Sequence, residues 1–168
     1  MFTRILFVTV FTFSSVLNLF AQKEKIQSVY VFNFISKYVE WPASERSGDF
    51  VIGVLGNSLI IDEFRELSKT RTVGNQKIVT AKFNSAGDIT KCHVLFIAKS
   101  KLDEIGAALG KIGNTLVITD DEQGIKEGVA INFLVVDNKQ RFEYKSASAK
   151  SRGLVVSPEL AKIAVNSN

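Results

Sequence analysis

The residue types that most often carry out chemistry are scarce in this chain, which has one cysteine, Cys92, and one histidine, His93, next to each other. A cysteine beside a histidine could form a thiolate–imidazole pair for nucleophilic catalysis. On a strand, however, adjacent side chains point to opposite faces and cannot serve one site. We therefore interpret Cys92 as a small buried hydrophobic residue, and the same counts argue against a zinc site built from several histidines and cysteines.

Two short patterns could bind small ligands. Gly53, Gly56 and Asn57 lie at a predicted strand-to-helix turn, where backbone N–H groups could bind an anion, but the glycine spacing of dinucleotide and P-loop sites is absent. The acidic run Asp120-Asp121-Glu122 could bind Ca²⁺ or Mg²⁺ through carboxylate oxygens. The glycine pattern is more simply interpreted as a tight turn, and the acidic run as a solvated turn. Because no catalytic motif is found either, we predict no cofactor, no metal and no enzymatic activity.

The first predicted helix has an aromatic end formed by Tyr38, Trp41 and Pro42. Such rings either pack in the core, where aromatic residues contribute much of the burial energy, or remain exposed as an anchor for a protein partner. The polar residues of this helix recur at helical spacing and should face solvent: Asn33, Ser36, Lys37 and Glu40. Lys37, Glu40 and Trp41 are therefore candidate partner-binding residues, with Trp41 expected in the core.

The first 21 of the 168 residues differ from the rest of the chain, because Arg4 is their only charge and an apolar run follows it as far as Phe20. This run is shorter and more polar than the roughly 20 apolar residues that span a bilayer. The pattern is typical of a signal peptide cleaved after Ala21. We predict an exported protein consisting of a signal peptide, residues 1–21, and a single domain, residues 22–168. The net charge of +4 comes from dispersed basic residues, which does not suit a nucleic-acid partner.

The elements of the domain follow from hydrophobic periodicity. A helix is predicted over residues 24–41, ending before Pro42, which cannot continue the hydrogen-bond ladder. Short apolar runs then alternate with helical patterns, and the predicted strands are 50–56, 77–83, 93–98 and 115–119. Ser100 is expected to cap the helix after the third of these strands. Two successive β-α-β units indicate an α/β sheet with right-handed crossovers.

The pattern of apolar and polar residues is different in the last part of the chain. Residues 129–136 and 140–145 are predicted to form an antiparallel hairpin, and Ser157 and Pro158 begin a short closing helix. The fold class is therefore α/β, with a mixed sheet of about five to six strands and an antiparallel hairpin near the C-terminus.

Several segments of the chain, in this order, resemble the YfiR-like family of exported bacterial proteins. They are Phe34-Ile-Ser-Lys-Tyr-Val-Glu-Trp-Pro42, Gly53-Val-Leu-Gly56, Cys92-His-Val-Leu-Phe-Ile97, Gly128-Val-Ala-Ile-Asn-Phe133, Arg141-Phe142-Glu143, and Gly153-Leu154 followed by Ser157 and Leu160. The resemblance implies a Rossmann-like three-layer sandwich in the periplasm. It also implies a non-enzymatic regulator that binds and represses the periplasmic sensor region of an inner-membrane diguanylate cyclase, lowering cyclic-di-GMP and biofilm formation. A sensor kinase is the other class of partner that the sequence leaves open. A homodimer is possible. Redox control through an intrachain disulfide does not carry over, because Cys92 is the only cysteine.

A second hypothesis comes from a different class of protein. Open α/β sheets bind ligands in the crevice outside the carboxyl ends of their strands, so the chain could be a periplasmic binding protein for a small solute. The residues expected to line that crevice are Gly53, Gly56, Asn57, Lys99, Ser100, Asp120 and Asp121.

Overall fold

The computed structural model describes residues 22–166, and the predicted signal peptide lies outside these residues. The strands are β1 (Val39–Glu40), β2 (Phe50–Leu55), β3 (Thr72–Val73), β4 (Gln76–Phe83), β5 (Val94–Ile97), β6 (Leu116–Thr119), β7 (Ile131–Val136), β8 (Lys139–Tyr144) and β9 (Val155–Val156). The helices are α1 (22–37), α2 (Ile60–Ser68), α3 (Ile105–Lys111), α4 (Glu122–Lys126), α5 (Ser146–Lys150) and α6 (Pro158–Ile163). Short 3₁₀ helices cover Ala43–Glu45, Ala86–Asp88 and Lys99–Glu104.

The main sheet has seven strands in the order β3-β4-β2-β5-β6-β7-β8. The five inner strands are parallel, and β3 and β8 are antiparallel at the two edges. This confirms the predicted α/β class, the mixed sheet and the C-terminal hairpin. The strand number is higher than predicted, because β3 is a two-residue hairpin arm that is too short to show alternation.

Apolar side chains fill both faces of this sheet, as expected for buried parallel strands. In β5 the side chains of Val94 and Phe96 enter one core cluster, which α1, α2 and α6 cover, whereas Leu95 and Ile97 enter the other, which α3 covers. Helices thus lie on both sides of the sheet, giving the three layers of a Rossmann-like sandwich. The β-α-β crossovers bring the carboxyl ends of the parallel strands to one edge.

The first helix ends earlier than predicted, at residue 37 rather than Trp41. The reason is a tertiary contact: Val39 and Glu40 pair with Val156 and Val155 of β9 in a separate two-stranded sheet. The predicted cap at Ser100 is also wrong, because a 3₁₀ helix starts directly after Ala98 and no side chain caps it. The predicted cap at Ser157, by contrast, is confirmed, since its side chain accepts a hydrogen bond from the N–H of Glu159.

Candidate functional site

A groove of about 530 Å³ lies at the carboxyl end of β6, beside the hairpin of β7 and β8. We call it the carboxyl-edge groove. Its lining residues are Lys23, Lys99, Asp120, Asp121, Gln123, Phe133, Leu134, Val135 and Gln140. Three residues predicted for the crevice, Lys99, Asp120 and Asp121, are therefore brought together. They lie together because β5 and β6 are parallel neighbours whose carboxyl ends meet at one edge.

The charges of the carboxyl-edge groove form pairs with one another. The Lys23 Nζ lies 2.7 Å from Oδ2 of Asp120, and the Lys99 Nζ lies 3.2 Å from Oδ2 of Asp121. Asp121 also caps α4, because its carboxylate accepts a hydrogen bond from the N–H of Gln123 (3.1 Å). This hydrogen bond lowers the pKa of Asp121, and the nearby Lys99 ammonium group lowers it further. The groove thus presents both signs of charge, which suits a zwitterionic ligand better than a simple ion.

Of the remaining crevice residues, Gly56 and Ser100 lie between the ends of β2 and β5, where the order of the parallel strands reverses. Side chains of the protein occupy the space at this position. Gly56 has a φ of +90°, and a Cβ there would lie 2.6 Å from Cγ of Lys101 and 3.0 Å from Oγ of Ser100. The Asn57 side chain accepts a hydrogen bond from Lys82 (2.8 Å). Gly53 lies within the sheet, so close under Phe83 that a Cβ would clash with that ring.

Two polar residues of α1 near the carboxyl edge of the sheet, Glu24 and Gln27, are not among the candidate residues predicted from the sequence. The Glu24 Oε1 accepts a hydrogen bond from Ser58 (3.4 Å), while its Oε2 is buried without a partner. Burial raises the pKa of Glu24. Gln27 is fully buried, donates to Oε1 of Gln140 (3.3 Å) and leaves its own Oε1 unpartnered. The sequence signal that could have identified them is their spacing, three positions apart, on the face of α1 that also carries the buried residues Val31 and Ile35.

The candidate partner-binding residues lie around the end of α1. Lys37 is exposed at the last turn of this helix. Glu40 is exposed on β1 and lies 3.3 Å from Arg46 in an ion pair. The Trp41 ring is only 4% exposed and packs edge-on against Phe50, with ring centroids 4.9 Å apart. The expected core position of Trp41 is thus confirmed, and Lys37 and Glu40 lie on the surface beside it.

Cys92 and His93 point to opposite faces of the sheet, as predicted. Cys92 belongs to the core cluster under α3, whereas the His93 ring stacks on Phe50 on the other face, with centroids 4.4 Å apart. The N–H of Val51 donates to Nδ1 of His93 (3.0 Å), so the ring carries its proton on Nε2, which donates to the carbonyl of Glu45 (3.0 Å). Burial lowers the pKa of His93. His93 therefore links β2 to the 3₁₀ helix Ala43–Glu45 as a neutral, structural residue.

The Cys92 thiol should be unreactive in the folded protein. It is buried, and burial raises its pKa to about 12, so almost no thiolate is present at neutral pH. We expect a colorimetric thiol reagent to modify much less than one thiol per folded chain and one full thiol after denaturation. Rapid modification without denaturant, or a disulfide-linked dimer of the unaltered protein on non-reducing gels, would contradict this prediction.

The sheet defines a doubly wound α/β protein whose parallel strands have the flavodoxin-like order. The chain belongs to the YfiR/HmsC-like family, whose model matches residues 24–165. The family is one of periplasmic, regulatory and non-catalytic proteins of cyclic-di-GMP signalling, and membership supports this general role. No curated protein matches the chain. In the part of the chain that the structure describes, none of the helices has the length and apolar character needed to cross a membrane. Residues 22–166 also contain no group of three or more His, Cys, Asp and Glu side chains placed to hold a metal ion.

Proposed function

We propose that this protein is a periplasmic regulator that binds the sensor region of an inner-membrane signalling protein, a diguanylate cyclase in the first instance, and holds it inactive. The observation that carries the proposal is the family match over residues 24–165, which extends through every strand of the main sheet. Repression would lower cyclic-di-GMP and biofilm formation. A sensor kinase is the other partner class compatible with the same periplasmic position.

The surface at the end of α1 is our candidate docking face. Lys37 lies at the end of α1 and Glu40 on β1, three positions further along the chain, and both are exposed. The Glu40–Arg46 pair is solvated, with more than half of each side chain exposed. An exposed pair contributes about 0–1 kcal/mol to stability, so these charges can be changed without unfolding the domain. Beneath them the buried Trp41 ring holds the β1 segment against the core.

Reversal of both charges, Lys37→Glu with Glu40→Lys, tests the docking face. We expect an unchanged melting temperature and binding to the partner's periplasmic domain that is weaker by about tenfold or more, since reversed charges across an interface repel. The measurement is calorimetry or surface plasmon resonance with periplasmic domains of the diguanylate cyclases and sensor kinases of the same cell. Cyclic-di-GMP in cells expressing the variant should rise in parallel.

The matched control is the reversal of Glu66, in α2, and Lys69, which directly follows this helix; both side chains are exposed and carry charges of the same two signs. It should leave binding unchanged. If both double variants bind like the unaltered protein, the docking face lies elsewhere. If the unaltered protein binds none of these periplasmic domains and its deletion leaves cyclic-di-GMP constant, the proposed function is wrong.

The carboxyl-edge groove favours a second candidate function, binding of a small solute. Its volume of about 530 Å³ falls within the range of small-molecule sites, and its two carboxylates and two ammonium groups suit a zwitterion. A thermal-shift screen of free amino acids would test this candidate. A rise in melting temperature that is lost in Lys99→Ala would support it, and Lys99 is suitable because its side chain is 81% exposed and carries little of the fold.

A further inference from the structure

The predicted signal-peptide cut falls at the first residue of α1. Cleavage after Ala21 makes Gln22 the new N-terminal residue, and α1 covers residues 22–37. The Gln22 side chain is exposed, so its amide group is open to solvent and to the amine of its own backbone. The mature chain therefore carries a glutamine side chain and a free α-amine on one exposed residue.

These two groups can react with each other. The α-amino group of a chain has a pKa of about 8, so part of it is neutral and nucleophilic at neutral pH. Its nitrogen attacks Cδ of the same residue, and the new N–Cδ bond closes a five-membered lactam. The Cδ–Nε2 bond breaks, and the amide nitrogen leaves as ammonia with the proton that the α-nitrogen gives up. The reaction needs no oxidant, reductant or further reactant.

The charges at the start of α1 disfavour an ammonium group there. The first N–H groups of a helix have no partner within the helix and give its N-terminus a partial positive charge. The neighbouring Lys23 adds a full positive charge. A protonated amine on Gln22 is repelled by both, whereas the lactam is neutral.

Two carboxylates lie near the start of α1, and both are already engaged. Asp120 binds Lys23, with Oδ2 and Nζ 2.7 Å apart. Glu24 accepts a hydrogen bond from Ser58 with its Oε1 (3.4 Å), and its Oε2 is buried. These carboxylates therefore leave the repulsion on a Gln22 ammonium group in place, and loss of the charge removes it.

We propose that Gln22 is a modification site, which cyclises to pyroglutamate after cleavage behind Ala21 and gives α1 a neutral N-terminal end. The modification rests on the predicted cleavage and on no partner or ligand. It protects the mature chain from aminopeptidases that require a free α-amine. It also stabilises the first turn of α1, which carries Lys23 and its ion pair with Asp120 at the carboxyl-edge groove.

Mass spectrometry of the mature protein tests the modification. The full chain is expressed in bacteria, purified from the periplasm and incubated at neutral pH, and samples are fragmented at intervals to locate the N-terminus. We expect a chain that starts at residue 22 and becomes lighter by one ammonia until conversion is complete. Pyroglutamyl aminopeptidase should then leave Lys23 as the N-terminus. The matched control is Gln22→Asn, which keeps an amide and a free amine but could close only a strained four-membered ring.

Thermal unfolding at low ionic strength tests the electrostatic reason. The melting temperature should rise by about 1–3 °C with conversion, because one charge at a helix terminus has a modest effect in a domain of this size. The Gln22→Asn protein should keep both its mass and its melting temperature over the same incubation.

Several results would overturn the proposal: a mature chain that starts elsewhere, an uncyclised Gln22 that persists throughout, or a control that loses ammonia equally fast. An unchanged melting temperature after full conversion would overturn the stabilising role. No partner protein enters these measurements, so their outcome is independent of the proposed function.

Discussion

Replacement of Trp41 by alanine is expected to lower the free energy of unfolding by about 3–5 kcal/mol, the usual cost of deleting a large buried aromatic ring. The ring is 4% exposed, meets Phe50 edge-on and lies 6.2 Å from the His93 ring. Its removal leaves a cavity where the β1 segment meets the sheet. Urea denaturation monitored by circular dichroism measures the loss, and a stability loss of this size is expected to make the variant prone to aggregation.

The control for this variant is Trp41→Phe. The indole Nε1 is buried and has no hydrogen-bond partner, so phenylalanine gives up no hydrogen bond and keeps most of the packing. We expect it to cost a small fraction of the alanine effect. A Trp41→Ala protein that melts like the unaltered one but no longer binds its signalling partner would show instead that Trp41 acts as an interface anchor.

Much of the sheet was predictable from the sequence, because apolar runs alternate with helical patterns wherever the elements are long. β2, β4, β5 and β6 lie within about a residue of their predicted ranges, and the hairpin turn falls at Asp137 and Asn138, where the sequence predicts it. Positive φ angles of 50° and 57° at these two residues suit the tight turn between antiparallel strands.

The elements that were not predicted from the sequence were missed because they are short. α4 and α5 have five residues each and β9 has two, too few to display a period. Missing α4 hid a third β-α-β unit, since β6 and β7 are parallel. The helix pattern through Trp41 was misleading for another reason: Val39 and Glu40 leave the helix to pair with β9, a contact with a distant part of the chain.

The candidate site was predictable only in part, because it also depends on contacts between distant parts of the chain. The rule that carboxyl ends of parallel strands meet placed Lys99, Asp120 and Asp121 together correctly. It could not supply Lys23, which lies 97 residues from its partner Asp120 along the chain. Nor could it show that Lys101 and Ser100 fill the space beside Gly56, because side-chain packing at a turn depends on the final backbone path.

Replacement of His93 by leucine is expected to cost about 1–3 kcal/mol at neutral pH, the usual cost of one buried unpaired group. Leucine keeps much of the volume, but it leaves the N–H of Val51 without its acceptor, whereas the carbonyl of Glu45 loses the ring and still accepts from the side chain of Gln76 (3.1 Å). His93→Asn is the graded control, since an amide oxygen near the Nδ1 position can still accept from Val51. The expected order of stability is therefore histidine, asparagine, leucine.

The same residue makes stability depend on pH in a defined direction. The pKa of His93 is lowered by burial in the folded state, so the unfolded chain binds its proton first as the pH falls through about 6.5. The contribution of His93 to the free energy of unfolding is therefore fully present above that pH and decreases progressively below it. The decrease ends when the folded form is also protonated and loses the hydrogen bond from Val51. Denaturation curves can be measured from pH 8 to pH 5, which roughly spans this titration. The difference in free energy of unfolding between the unaltered protein and His93→Leu should decrease as the pH falls. A difference that stays constant or grows over that range would mean that His93 titrates as it does in the unfolded chain, or above it, and that burial does not control its protonation.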